Sequence, residues 1–436
     1  MASGRGHVPA GPAPRCRRAP RDARGQRHLR AAQRLCDQPW LRRSRRATQR
    51  SRGHHRDLPR HLIIDTLTTD WNDLRRWPDV EASNLQAWDA SDSLILDEAR
   101  ELTGGLPDEI VVIGDRHGAL TLGALDGGAT RVRVYQDGVL GERALDANAA
   151  RRRVDGFEHH ALDADLVRGA RLVLLQLPRS LDELDEIAQL IAAHAHPDVH
   201  LVAGGRVKHM ALTMNDVLSS HFQDVRPSRA RQKSRALHVT GPREGVAVSW
   251  PREQRHDDAG LTIAAHGGVF AGNGIDIGTR LLLDHIPEMR QAERAIDLAC
   301  GSGVVAAALA LARPELHVLA TDQSAAAIAS TRATAAANGV SDRVEVVRAD
   351  GLETVATASA QLIVLNPPFH VGAAVHTRLA ERLFAEAARA LEPGGELWVV
   401  WNTPLNYRPI LDRTIGSTKQ VQRTSKFTVT SSRKRT

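Results

Sequence analysis

From about Leu58 onward, short apolar runs alternate with longer stretches of helical spacing. In the first half, Glu109 to Asp115, Arg131 to Asp137, Arg171 to Pro178 and His200 to Gly205 each read as a buried strand bounded by turn residues. Ser180 to His194 carries a helical period with acids in its first turn and Ser180 in the capping position. The second half repeats the rhythm in Ala295 to Cys300, His317 to Asp322, Arg343 to Asp350, Gln361 to Asn366 and Gly395 to Trp401, separated by Ala-rich helical stretches. Strands that alternate with helices predict an α/β fold with mainly parallel sheets covered on both faces.

The two halves look like copies. Asp115 to Gln176 spans 61 residues and Asp297 to Asn366 spans 69, and each stretch runs from the end of a first strand to a strand that stops before proline. Any two doubly wound domains share some of this rhythm, so spacing alone leaves duplication and coincidence both open. The expected division is an Arg-rich extension over 1–57, a first domain over 58–225, a linker over 226–260 and a second domain over 261–436.

Charge changes the picture only at the N-terminus. The chain has 58 Lys and Arg against 51 Asp and Glu, a net charge of +7. Residues 1–57 contribute 16 Arg, no Lys and three Asp, a local net charge of +13 that leaves −6 for the rest. The folded body is therefore mildly acidic. The extension lacks apolar periodicity and is expected to be disordered and dispensable; an RNA-binding arm and an Arg-rich transit peptide are the alternatives. Cys16, Cys36 and Cys300 form no close pair and no ligand spacing, which predicts a reducing, cytoplasmic setting with neither disulfides nor metal. No apolar run approaches the ~20 residues that span a bilayer, so no membrane association is expected.

Candidate chemistry lies in the second half. Asp297-Leu298-Ala299-Cys300-Gly301-Ser302-Gly303 follows a strand and opens the apolar helix from Val304. Glycines there let the backbone approach a ligand. Ala306 stands where a dinucleotide fingerprint would have its third glycine, and the acid Asp297 suits a cationic ligand such as the amino group of a methionine moiety. Asp322 ends the next strand, where a carboxylate would accept from ribose hydroxyls, and Asp350 follows the one after, where it would accept from an adenine amine. Each is also a plausible helix cap. Asn366-Pro367-Pro368-Phe369 ends the fourth strand. Amines on bases and amides are weak nucleophiles because their lone pairs are delocalised. The Asn366 side-chain oxygen and the Pro367 carbonyl would each accept one N–H and aim the remaining lone pair at a methyl donor. Prolines stiffen that backbone, and Phe369 offers a stacking face. The predicted cofactor is S-adenosylmethionine, held by Asp297, Ala299, Gly301, Gly303, Asp322, Asp350 and Asn366, with Asn366, Pro367 and Phe369 at the reacting amine.

With those motifs in register, the chain resembles the bacterial ribosomal RNA guanine-N2 methyltransferases of the RsmC/RlmG type, over roughly Leu67 to Arg435. The resemblance rests on Gly268-Val269-Phe270, Asp276-Ile277-Gly278-Thr279-Arg280, Asp297 to Gly303, Asn366 to His370 and Lys426-Phe427. Asn84 to Asp92, Ala203 to Met210 and Arg226-Pro227-Ser228 favour the large-subunit branch. It implies two tandem Rossmann-like methyltransferase domains, the first degenerate. That half has Gly114-Asp115-Arg116-His117-Gly118 at the loop position, with a cation where a cationic ligand would sit, and Gln176-Leu177-Pro178-Arg179 at the amine position. It is expected to dock RNA or act as a scaffold. The implied reaction is methylation of a guanine N2 in ribosomal RNA or a ribosomal subunit precursor. Alternatives are a protein glutamine N5-methyltransferase, a DNA adenine N6 enzyme, and a non-catalytic RNA-binding assembly factor. Arg226, Arg229, Arg231, Lys233 and Arg235 are candidate phosphate contacts.

Overall fold

A computed structural model describes residues 71–82, 84–367 and 373–436, with backbone alone for 373–378. The expectation for the Arg-rich extension falls outside these residues. The first sheet contains β1 (Glu109–Ile113), β2 (Arg131–Tyr135), β3 (Phe157–His159), β4 (Leu172–Gln176), β5 (His200–Arg206), β6 (Phe222–Pro227) and β7 (Ser234–Pro242), in the order β3-β2-β1-β4-β5-β7-β6. A two-stranded ribbon, β8 (Arg252–His256) with β9 (Leu261–Ala265), follows it. The second sheet contains β10 (Arg294–Leu298), β11 (His317–Asp322), β12 (Val344–Arg348), β13 (Ala360–Leu365), β14 (Leu391–Asn402), β15 (Thr418–Arg423) and β16 (Phe427–Arg433), in the order β12-β11-β10-β13-β14-β16-β15. The two orders are the same. In each sheet the seventh strand pairs antiparallel with both neighbours and the other pairings are parallel.

The helices of the first half are α1 (Ala90–Thr103), α2 (Ala119–Asp126), α3 (Val139–Arg152), α4 (Ala164–Val167), α5 (Leu181–His194) and α6 (Leu212–His221). Those of the second are α7 (Ile277–Leu283), α8 (Val304–Ala312), α9 (Ala325–Ala337), α10 (Ala373–Ala390) and α11 (Arg408–Thr414). Each sheet has an apolar core on both faces. In the second sheet Ala295, Leu362, Val364, Trp398 and Val429 join one core, and Ile296, Leu298, Ile363, Leu365 and Val399 the other. Burial on both faces explains why these strands read as continuous apolar runs, and each fully buried Leu or Ile contributes about 2 kcal/mol. No described helix is long and apolar enough to cross a membrane.

The stretch expected as a linker, 226–260, is largely folded. β6 and β7 extend the first sheet through Pro242, and β8 follows from Arg252. The stretch reads as polar because its cations gather in the exposed turn over 229–233 and mask β7, which is partly buried between β5 and β6. Arg226 pairs with Asp224 at 2.8 Å and Arg231 with Asp97, so two of the five candidate phosphate contacts already have carboxylate partners.

The halves meet beside β11. Asp137, just after β2, accepts from the Ser324 hydroxyl at 2.8 Å and the Ala326 N–H at 2.9 Å, and so shares the capping of α9. Arg348 donates to the Gln136 and Asp137 carbonyls at 3.0 and 2.8 Å and pairs with Glu142 at 2.7 Å. Gly267 lies against the α5 start so tightly that a Cβ there would sit 2.3 Å from the Asp182 carbonyl oxygen.

Candidate functional site

Register brings the candidate residues together. Leu298 pairs with Thr321 on one side and Leu365 on the other. The next residues, Ala299, Asp322 and Asn366, therefore leave three adjacent strands side by side at the carboxyl edge of the second sheet. Ligands bind at this edge in open α/β sheets because crevices form where neighbouring connections diverge.

The loop after β10 turns through left-handed backbone at Ala299 (φ 59°), Gly301 (φ 56°) and Gly303 (φ 78°). Such a conformation costs a non-glycine residue roughly 1–3 kcal/mol. Ala299 meets that cost, and tight turns of this kind gather at ligand sites. The two glycines do different work. A Cβ on Gly301 would meet nothing within 4 Å, so the backbone there faces open space. A Cβ on Gly303 would lie 2.8–3.0 Å from Thr331, so that glycine lets the loop pack on α9.

Asp297 is 3% exposed. One of its oxygens accepts from the Ala306 N–H at 2.9 Å and ties the strand to the first turn of α8. Burial pushes its pKa up to about 7, against the lowering effect of that hydrogen bond and with a further push from the Asp322 charge. Asp322 accepts from the Gly301 N–H at 3.1 Å and the Ser324 N–H at 3.0 Å. Its pKa is raised, mainly by burial, and the Asp137 charge acts in the same direction. No guanidinium or ammonium group is bonded to either carboxylate among the described residues, so the edge carries acid without a counter-charge. That environment fits a cation and a pair of ribose hydroxyls.

Asp350 differs from expectation. It lies two residues beyond β12, and both of its oxygens accept from the Arg382 guanidinium of α10, at 2.5 and 2.6 Å. A carboxylate neutralised in this bidentate way is a weaker candidate acceptor for an adenine amine.

Asn366 donates from its amide nitrogen to the Thr279 hydroxyl at 2.9 Å and to Asp276 at 3.2 Å. Asp276 is the N-cap of α7. It accepts from the Gly278 N–H at 2.8 Å, the Thr279 N–H at 3.3 Å and the Thr279 hydroxyl. An ionised carboxylate only accepts, so it fixes which way the amide faces. The Asn366 Oδ1 points the other way and is buried without a partner. A buried acceptor left unpaired is costly, and an amine N–H would satisfy it. Asp276 and Thr279 were not assigned roles from sequence. Their signal was the Asp276-Ile277-Gly278-Thr279 run, which reads as an ordinary helix cap. Gly278 adds a packing constraint, since a Cβ there would press on the Phe427 ring at 3.1 Å. Pro367 is buried beside the amide, while Pro368, Phe369 and His370 lie outside the described residues.

The first sheet holds the same parts in a closed state. Val112 stands at the register position of Asp297, and the acid is instead Asp115 in the loop after β1, which accepts from the Gly118 N–H at 3.0 Å and from the Thr121 N–H and hydroxyl at 2.9 and 2.7 Å. Gln176 occupies the place of Asn366. Its nitrogen donates to Asp92 in the first turn of α1 and to the Ser91 hydroxyl at 3.0 Å, and its oxygen is 3.2 Å from the same hydroxyl. The helix before the first strand thus holds the amide in both halves, but only Asn366 keeps an unpaired acceptor.

Comparison with known proteins agrees with this architecture. The Methyltransferase small domain family matches residues 260–431, and the RLMG N-terminal domain family matches residues 65–243. Proteins named ribosomal RNA large subunit methyltransferase G are similar to the chain. That of Streptomyces avermitilis is 36% identical over 377 residues, 84% of this chain and 98% of its own length. Those of Streptomyces coelicolor and Pseudomonas savastanoi pv. phaseolicola are each 34% identical, over 83% of this chain and 98% and 97% of their own lengths. The solved structure of a T. thermophilus 16S rRNA N2 methyltransferase (RsmC), in complex with AdoMet and guanosine, shares the fold with a TM-score of 0.65 at 22% identity, covering 80% of this chain and 92% of that one. With relatives at this identity along nearly their whole length, the chain belongs to the ribosomal RNA large subunit methyltransferase G family.

Proposed function

We propose that this protein methylates the exocyclic N2 amine of a guanine in ribosomal RNA, using S-adenosylmethionine. The observation that carries the reading is the Asn366 Oδ1, buried, unpaired and held in orientation by Asp276 and Thr279. The names of the relatives supply the RNA, the geometry supplies an acceptor for a planar amine, and the N2 position follows the resemblance.

Asp297, Ala299, Gly301, Gly303 and Asp322 would hold the cofactor, which when bound supplies an electrophilic methyl group on a sulfonium centre. The left-handed turn keeps side chains away from the open face of Gly301. Asp297 balances a nearby cation, and Asp322 accepts from hydroxyls. Asn366 Oδ1 accepts one N–H of the target amine and the Pro367 carbonyl accepts the other, so the nitrogen lone pair points out of the base plane. Because α7 fixes Asn366, the amine is oriented before the reaction begins, and positioning provides much of the acceleration. The guanine must leave its stack to reach this edge.

The first half contributes a surface. Arg116, Arg179 and Lys208 lie close enough to His209 that their charges help push its pKa down, after the effect of burial. This cluster at the carboxyl edge of the first sheet suits a phosphate backbone. The test is mass mapping of nucleosides in ribosomal RNA incubated with the purified protein and labelled cofactor. N2-methylguanosine is the expected product; methyl groups on protein glutamine, with none in RNA, would overturn the reading.

A further inference from the structure

A pocket of about 330 Å³ opens on the outer strands of the second sheet, lined by none of the residues of the amine site. Its walls include Thr403, Asn406, Arg408, Gln420, Arg423 and Thr430, and no carboxylate is among its lining residues. Arg408 and Arg423 are exposed. The Arg408 guanidinium has Asp412 at 3.8 Å, a distance that leaves most of its donors free. Among the described residues Arg423 makes no ion pair. Thr430 is fully buried, and its hydroxyl has no hydrogen-bond partner. A buried hydroxyl without a partner is uncommon and needs an explanation.

Register places the pocket at the same end of the sheet as Asn366, on the face opposite the helix that holds it. Leu365 pairs with Val399, so Trp401, which forms part of the pocket wall, lies two residues beyond that pair on the strand beside Asn366. Phe427, whose ring lies against Gly278 in the helix that holds Asn366, directly precedes Thr428 of the pocket wall and packs on the other face.

We propose that this pocket binds a phosphate group. Two guanidinium groups match its charge and its paired oxygens, and the Thr430 hydroxyl donates to an oxygen that reaches the interior. On the reading of the previous section, on which this assignment of source rests, the group is a phosphodiester of the substrate strand near the target base. Inorganic phosphate has the same chemistry and is the alternative source.

The test uses the full chain carrying Arg408→Gln with Arg423→Gln, and separately Thr430→Val. The double variant should raise KM for RNA on the order of tenfold, since hydrogen bonds to charged groups are lost, with kcat and cofactor affinity unchanged. Its plot of log affinity against log salt should flatten by about one to two, because each phosphate contact releases counterions. Thr430→Val should raise KM severalfold without lowering the melting temperature, a separation that a purely structural hydroxyl would not give. Inorganic phosphate that competes with RNA on the parent protein, but not on the double variant, identifies the phosphodiester as the natural occupant. Arginine-dependent phosphate binding that leaves the RNA KM untouched identifies a free-phosphate site. A double variant with parental KM and salt slope, together with no phosphate binding to the parent, overturns the pocket and leaves methylation standing. A parent protein that methylates no RNA but binds phosphate through these arginines overturns the RNA reading and leaves the pocket standing.

Discussion

With Asp297 in its proposed place beside the cation of the cofactor, binding becomes a proton-linked event. The Asp297 carboxyl is buried, and its pKa stands at about 7, far above the ordinary value of 3.8. In the free protein it is about half ionised at pH 7 and about 3% ionised at pH 5.5. A bound cation stabilises the ionised form, so the pKa falls on binding and affinity must rise with pH. If only the ionised form binds well, affinity increases roughly fifteenfold from pH 5.5 to 7.0. Asp322 is shifted in the same direction and steepens the rise. That window stays below the region near 8 where an α-amino group loses its own proton. The sign for stability is opposite. A carboxyl with a raised folded-state pKa makes the free protein less stable as pH climbs from about 4 to about 7, and a bound cation restores the loss. Titration calorimetry at pH 7.0 in two buffers of different ionisation enthalpy should therefore show about half a proton released per Asp297 site. Asp297→Asn keeps an acceptor for the Ala306 N–H but has no charge to lose. It should bind weakly with a flatter pH profile. Parental affinity that does not change between pH 5.5 and 7.0, or a variant that retains the full slope, would refute the assignment of Asp297 to a cationic ligand.

Asn366→Ala should leave cofactor affinity within a fewfold while abolishing transfer, and Thr279→Val, which frees the amide to turn, should lower single-turnover rates by ten- to a hundredfold; equal loss of cofactor affinity in both variants would mean that Asn366 belongs to the cofactor site alone. Gly303→Ala places a Cβ against Thr331 at left-handed backbone, and should destabilise by more than Gly339→Ala, where the backbone is equally left-handed (φ 67°) but nothing lies within 4 Å. The open site should cost about 1 kcal/mol, and denaturant midpoints of the two variants give the comparison. A chain that begins near residue 58 should retain methylation and cofactor affinity; a large drop in either would show that the Arg-rich extension contributes to function.

The strands of both sheet centres were legible because burial on two faces demands apolar runs, as in Ile110 to Ile113 and Leu362 to Leu365. The antiparallel edge strands were not: Thr418–Arg423 and Phe222–Pro227 each bury one side chain of six, so neither alternation nor hydrophobicity marks them. The seventh strand of the first sheet was hidden among arginines. At the site, Asn366 and the Asp297 loop stood out because unusual residues end apolar strands. Asp276 and Thr279 did not, since a capping Asp serves every helix in the same way and its second partner is 90 residues away. The ion pair of Asp350 was hidden for a similar reason. Its partner Arg382 follows by 32 residues, and only the fold brings them together.

The contact of Asp137 with α9 has a consequence for genetics. This carboxylate belongs to the half without an unpaired amide acceptor, yet it shares the capping of the helix that begins just after Asp322 and adds its charge to the field on that acid. Arg348 fastens the same junction from the opposite side. Inactivating alleles should therefore fall in both halves of the coding sequence. A survey that ranks positions by their nearness to Asn366 would pass over a residue whose loss unsettles the neighbouring domain.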